Sequence, residues 1–114
     1  MMKKFYDTSS LLLLEDNLFQ EEFVISSVTL IELEEIKSSN RKDEDVKSAA
    51  RHLLHLLSEN PAAYKVVVYN QHMIKNIEAA SVDVNNDAKI VACAVYYERT
   101  FAKGNMLFIT NDLA

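Results

Sequence analysis

Short apolar segments alternate with longer amphipathic helices along this chain, and that alternation constrains its fold more than any other feature. The helix predicted over 44–59 is the clearest, because its apolar residues recur at i, i+3, i+4 and i+7. Strands that alternate with helices are joined by right-handed crossovers, so the pattern predicts an α/β fold whose parallel sheet is covered by helices on both faces. One Gly and one Pro are too few turn residues for an all-β protein. The predicted strands are 3–7, 23–26, 64–69 and 106–109, and the other predicted helices are 11–14, 26–37, 71–79 and 86–101.

The composition fits one globular domain, with 114 residues, 49% of them apolar and 25% charged. No apolar run approaches a membrane span, and the N-terminus lacks the apolar region of a signal peptide. Cys93 is the only cysteine, so no internal disulfide forms and a reducing, cytoplasmic location is expected. The formal net charge of −5 counts against a nucleic-acid partner, unless a metal neutralises a concentration of acidic residues.

Four acidic residues occupy positions that solubility alone does not explain. Asp7 directly follows the first predicted strand, and Asp112 follows the last one. Both therefore lie at carboxyl ends of parallel strands, the side where such sheets bind ligands. Glu32 lies within the apolar line of its helix, and Asp87 continues the apolar stripe above Ile90 at the start of another helix.

Each of these acids alone has an ordinary structural explanation, as a turn residue, a helix cap or an edge residue. Together they would repel one another at one end of a sheet unless a positive charge joined them. Mg²⁺ or Mn²⁺ meets that need, because hard divalent cations prefer oxygen ligands. No Cys-x-x-Cys or His-x-x-x-His pattern suggests zinc instead.

The motifs YDTSS, ELEEIK, NNDAKIVACA and FITNDLA, in this order, resemble the PIN domain family of nucleases over nearly the whole chain, from Lys3 to Ala114. The segment VTLIELEEIK is similar to PIN domains linked to phosphate-starvation-type ATPases and to the toxins of toxin–antitoxin pairs. The resemblance implies a three-layer α/β/α Rossmann-like fold with a central parallel sheet of four to five strands, and a single domain over 1–114. It also implies Mg²⁺- or Mn²⁺-dependent hydrolysis of single-stranded RNA, with 5′-phosphate and 3′-hydroxyl products.

The resemblance also implies site residues and partners. PIN domains usually continue into one more strand, so we expect this chain to be part of a longer protein, with a homodimer, an antitoxin or a fused ATPase domain as open possibilities for its partners. The segment KSSNRKDEDVK is equally well explained as a solvated loop or as an RNA path. The catalytic and metal-binding residues carried over are Asp7, Glu32, Asp87 and Asp112, with Thr8, Thr110 and Asn111 in support. The candidate RNA contacts are Lys37, Arg41, Lys42, Arg51, Lys89, Arg99 and Lys103.

Other α/β folds with acidic sites fit less well. A response-regulator receiver needs an acidic pair after the first strand, but Tyr6 precedes Asp7. A haloacid-type phosphatase needs Asp-x-Asp, where this chain has Asp7-Thr8-Ser9. A phosphate-binding P-loop is excluded because the single glycine is Gly104. The alternative that remains is a non-catalytic PIN-like module that binds RNA or protein and regulates a larger protein.

Overall fold

The computed structural model describes residues 2–74 and 84–110. Strands and helices alternate in these ranges in the predicted order. The strands are β1 (Lys3–Tyr6), β2 (Phe23–Ser26), β3 (Tyr64–Val67) and β4 (Met106–Ile109). The α-helices are α1 (Thr8–Leu14), α2 (Ser27–Ser38), α3 (Glu44–Glu59), α4 (Gln71–Ile74) and α5 (Asn86–Phe101), and 3₁₀ helices cover Glu15–Gln20 and Pro61–Ala63.

The four strands form one parallel sheet in the order β3-β2-β1-β4. The chain moves outward from β1 to β2 and β3, and then returns to place β4 on the other side of β1. The strand order therefore reverses between β1 and β4. In open parallel sheets, a crevice forms at the carboxyl ends of the two strands that flank such a reversal.

Each face of the sheet is covered by its own apolar cluster, as expected when successive strand residues point to opposite faces. Phe5 is fully buried on one face, together with Ile90, Cys93 and Tyr97 of α5. Tyr6 belongs to the other cluster, which includes residues of α1, α2 and α3. The predicted three-layer α/β/α architecture with a four-stranded parallel sheet is therefore confirmed.

The predicted bounds of β2, α3, α5 and β4 agree with the structure. β3 was predicted to reach Tyr69 but ends at Val67. The amide of Tyr69 donates to the hydroxyl of Ser27, 2.9 Å away, so it does not extend the backbone pairing with β2. The predicted helix over 71–79 is described only as far as Ile74, and the rest of it lies outside the described residues.

The first strand was predicted to include Asp7, and residues 7–10 were predicted to cap a helix that continues over 11–14. β1 instead ends at Tyr6, and α1 already begins at Thr8. Asp7 takes the capping position between them, because its carbonyl accepts from the amide of Leu11 and its side chain accepts from the amide of Ser10. The 3₁₀ helix Glu15–Gln20 was not predicted from the sequence. None of the helices in the described part of the chain is long and apolar enough to cross a lipid bilayer.

Candidate active site at the carboxyl edge of the sheet

The pairing of β1 with β4 brings Asp7 next to Thr110. Tyr6 pairs with Ile109 at the last position of this ladder, and Asp7 and Thr110 are the residues that follow. The amide of Asp7 donates to the carbonyl of Ile109 over 3.1 Å, which extends the pairing by one bond. The hydroxyl of Thr110 then donates to Oδ2 of Asp7 over 2.5 Å. Two residues that were assigned to the candidate site from the sequence are thus joined by a hydrogen bond at the reversal in strand order.

The carboxylate of Asp7 is held by three donors. Oδ1 accepts from the amide of Ser10 at 2.9 Å and from the hydroxyl of Ser9 at 3.2 Å, and Oδ2 accepts from Thr110. A carboxylate offers about four acceptor positions. Among the described residues, one position on Oδ2 therefore has no protein donor. Asp7 is half-buried, so part of the residue is open to solvent.

Glu32 reaches the same edge of the sheet from α2. Ser26 ends β2 and caps α2, because its hydroxyl accepts from the amide of Val28 at 3.0 Å. Glu32 lies on the second turn and is half-buried, as its position within the apolar line predicts. Its Oε1 accepts a hydrogen bond of 2.6 Å from the hydroxyl of Thr8, the residue after Asp7. The structure therefore links two of the predicted acids through adjacent residues of the chain.

Asp87 differs from its predicted environment. It lies in the first turn of α5, as predicted, but its side chain is exposed and does not continue the buried stripe. Burial begins one turn later, at Ile90, the first residue of α5 in the apolar cluster on that face of the sheet. Asp87 does not cap the helix either, since the side chain of Asn85 accepts from the amide of Ala88 at 2.9 Å.

Asp112 and Asn111, the other predicted members of the site, lie outside the described residues. Within residues 2–74 and 84–110, no three His, Cys, Asp or Glu side chains are grouped closely enough to hold a metal ion. Asp7 and Glu32 do fit a hard divalent cation in chemistry, because both offer carboxylate oxygens and have hydroxyl groups as neighbours.

The basic residues predicted to contact RNA are spread over several parts of the structure. Three of them already have partners: Lys37 pairs with Glu34 at 2.8 Å, Arg51 lies 3.8 Å from Glu44, and the ammonium of Lys89 lies 5.6 Å from the ring centre of Tyr69. Two others flank the turn before β4, where Arg99 lies in the last turn of α5 and Lys103 precedes the strand. The amide of Lys3 donates to the carbonyl of Asn105, which places this turn at the amino edge of the sheet, opposite Asp7.

Arg41 and Lys42 are exposed in the loop between α2 and α3. Lys42 shares a cavity of about 380 Å³ with Glu32, Glu35, Ile36 and Ser39. Within the described residues, Lys42 is therefore the candidate RNA contact that lines a cavity together with a predicted metal ligand, Glu32. A larger cavity of about 550 Å³ lies between β3 and α5, and no acidic residue of the described chain lines it.

Two hydroxyl groups near the site were not identified from the sequence. Ser10 is nearly buried and donates to the carbonyl of Ile109 over 3.1 Å, which fixes the start of α1 to the end of β4. Thr29 is fully buried on α2, with its hydroxyl 3.1 Å from that of Thr8. Ser10 lies three residues after Asp7, and Thr29 lies three residues before Glu32. That helical spacing is the signal that could have identified them.

Of three comparisons with known proteins, one gave a match. The family model of the PIN domain matches residues 5–114, which is nearly the whole chain. PIN domains are generally nucleases, and such nucleases usually use divalent metal ions. Neither the search of curated proteins nor the search of solved structures gave a match.

Proposed function

The chain belongs to the PIN domain family, and on this premise we propose that it is an Mg²⁺- or Mn²⁺-dependent endoribonuclease that hydrolyses single-stranded RNA. One observation carries the proposal. At the reversal in strand order, Asp7 is held by Thr110, and Glu32 is held by Thr8. Ordered carboxylates at that place in a parallel sheet are the arrangement expected of a ligand site.

The residues of the chain have separate roles in this proposal. Asp7 and Glu32 would hold the cation, and Asp87 and Asp112 would complete its ligands directly or through water. When bound, Mg²⁺ or Mn²⁺ supplies the acidity that activates a water and the charge that stabilises the phosphodiester in the transition state. Thr110 keeps Oδ2 of Asp7 in a fixed direction, so the carboxylate does not have to reorganise when the cation arrives.

The substrate is proposed to pass along the cavity between Glu32 and Lys42. A single strand of RNA needs cations for its phosphates, and Lys42 supplies one beside a proposed metal ligand. Ser39 adds a hydroxyl in the same cavity. Lys37 and Arg51 contribute less to this path, because each already lies beside a glutamate.

The test compares the wild type with Asp7→Asn and Glu32→Gln on end-labelled single-stranded RNA in Mn²⁺. Both changes remove a negative charge and keep the shape of the side chain. Asp43→Asn is the matched control, because Asp43 is an exposed acid whose side chain makes no capping hydrogen bond. The expected result is cleavage by the wild type and by Asp43→Asn, loss of cleavage by both site variants, and no cleavage in EDTA.

Equal cleavage by the wild type and Asp7→Asn would contradict the proposal. If neither the wild type nor any variant cleaves RNA, but the wild type binds it, the chain is a PIN-like RNA-binding module, which is the second candidate. A fluorescence anisotropy titration on the same RNA separates these two outcomes. Cleavage of single-stranded DNA at the same rate would be consistent with a nuclease but would contradict the proposal that RNA is its specific substrate.

A further inference from the structure

A fully buried hydroxyl lies behind the hydrogen bond between Thr8 and Glu32. Thr29 is 0% exposed, and its Oγ1 lies 3.1 Å from Oγ1 of Thr8. Thr8 in turn lies 2.6 Å from Oε1 of Glu32. The three side chains form a short chain of hydrogen bonds that runs from the interior of α2, through the start of α1, back to the carboxylate on α2.

The direction of each hydrogen bond follows from the number of available hydrogens. The hydroxyl of Thr8 has one hydrogen, and an ionised carboxylate can only accept. The hydrogen of Thr8 therefore points to Glu32. Thr29 must then donate to the oxygen of Thr8, which is the partner that a buried hydroxyl needs. Each bond leaves the next hydroxyl with only one favourable orientation.

We propose that Thr29 is a positioning residue that orients Glu32 through Thr8. The inference rests on the proposed function, because it takes Glu32 as a metal ligand. Thr29 and Glu32 are three residues apart on one face of α2, so the helix that presents the ligand also anchors the hydroxyl that steers it. Without the donor at Thr29, the oxygen of Thr8 loses one of its two hydrogen-bond partners, and the bond from Thr8 holds Glu32 less firmly.

The experiment measures Mn²⁺ binding directly, from the loss of the electron paramagnetic resonance signal of free Mn²⁺. Thr29→Val removes the hydroxyl with little change of shape, and Thr29→Ser keeps it. We expect Thr29→Val to raise the apparent Kd for Mn²⁺ about tenfold, as is typical when a partner of a metal ligand is lost. Thr29→Ser should bind Mn²⁺ like the wild type. Val28→Ala is the control, because it opens a buried position on the same helix without touching the hydroxyl chain.

Thr8→Val shows whether the effect passes through Thr8. We expect this variant to bind Mn²⁺ as weakly as Thr29→Val, and the double variant to be no weaker than either. The proposal would be overturned if the increases in Kd for Mn²⁺ caused by the two single changes multiplied in the double variant. It would also be overturned if Thr29→Val bound Mn²⁺ with wild-type affinity. Equal weakening by Thr29→Ser and Val28→Ala would also overturn it, because packing alone would then explain the loss. If Thr29→Val does not fold, Thr29→Ala takes its place in every comparison.

Urea unfolding in EDTA keeps this inference separate from the proposed function. If the wild type binds no Mn²⁺, the proposed function fails, but the hydrogen-bond chain is still testable in the metal-free protein. A cycle of Thr29→Val, Glu32→Ala and the double variant should then be non-additive, since both single changes break the same chain. Additive effects would show that Thr29 does not act on Glu32.

Discussion

Asp7 has two roles in this structure that two substitutions can separate. Its side chain caps α1 by accepting from Ser10, and it is also a proposed metal ligand. Asp7→Ala removes both roles. Asp7→Asn removes the negative charge but keeps Oδ1 as the acceptor for the Ser10 amide, and the Nδ2 that replaces Oδ2 can donate to the Thr110 hydroxyl, which reverses that bond.

The size of each effect follows from the hydrogen bonds that are lost. Loss of the cap costs about 1 kcal/mol, and loss of the bond from Thr110 costs about 1 kcal/mol more. The unfolding entropy is about 2.1 cal/mol/K per residue, or about 0.24 kcal/mol/K for 114 residues. Dividing the combined loss of about 2 kcal/mol by this entropy gives a decrease in Tm of about 8 °C for Asp7→Ala. Asp7→Asn loses only the attraction of the charge to the helix dipole, about 0.5 kcal/mol, and should lower Tm by about 2 °C.

Thermal melts followed by circular dichroism in EDTA test the capping role, and the same melts in Mn²⁺ test the ligand role. At a Mn²⁺ concentration one hundred times Kd, binding stabilises the wild type by about 2.7 kcal/mol, which raises Tm by about 11 °C. Asp7→Asn should lose this rise, and Asp43→Asn should keep it. Equal Tm values for the two Asp7 variants in EDTA would refute the capping argument, and a full Mn²⁺ shift in Asp7→Asn would refute the ligand role.

Three further predictions concern the core, the dependence on pH and the RNA path. Leu33→Ala empties a fully buried position and should lower the free energy of unfolding in urea by about 3 kcal/mol; a loss below about 1 kcal/mol would contradict the packing. Burial raises the pKa of the Cys93 thiol and those of the Tyr6 and Tyr64 phenols above their ordinary values. The folded state then binds more protons than the unfolded state, so urea midpoints should fall as pH rises above 9, and a rise would contradict this sign. Lys42→Ala should reduce the salt dependence of single-stranded RNA binding by about 0.7 in log–log slope, with unchanged Mn²⁺ binding; an unchanged slope would exclude Lys42 from the path.

The parts of the fold that the sequence predicts best are those in which several local signals agree. The helix 44–59 combines an amphipathic pattern with acids in its first turn and with Asn60-Pro61 after its end. The 3₁₀ helix Glu15–Gln20 has no such period, and it was missed for that reason. The end of β3 was misplaced because YKVVVY is strand-like throughout, whereas the bond between Tyr69 and Ser27 depends on the position of a distant residue.

The candidate site shows the same division between local and distant causes. The pairing of Asp7 with Thr110 was predictable, because residues that follow neighbouring parallel strands meet at one edge of the sheet. The environment of Asp87 was not, because the helical period does not tell at which turn a helix begins to contact the sheet. Thr29 could have been singled out by its helical spacing from Glu32, but its contact with Thr8 could not, since that contact depends on how α1 and α2 approach each other.

The partners of Asp7 and Glu32 also indicate which kind of ligand the site favours. Every donor to these carboxylates in the described part of the chain is a hydroxyl or a backbone amide, and neither acid forms an ion pair there. Neutral donors orient a carboxylate but leave its negative charge in place. A lysine or arginine would neutralise that charge and compete with an incoming cation. In the proposed site, donors of this kind would let a divalent cation bind carboxylates that are already oriented and still carry their charge.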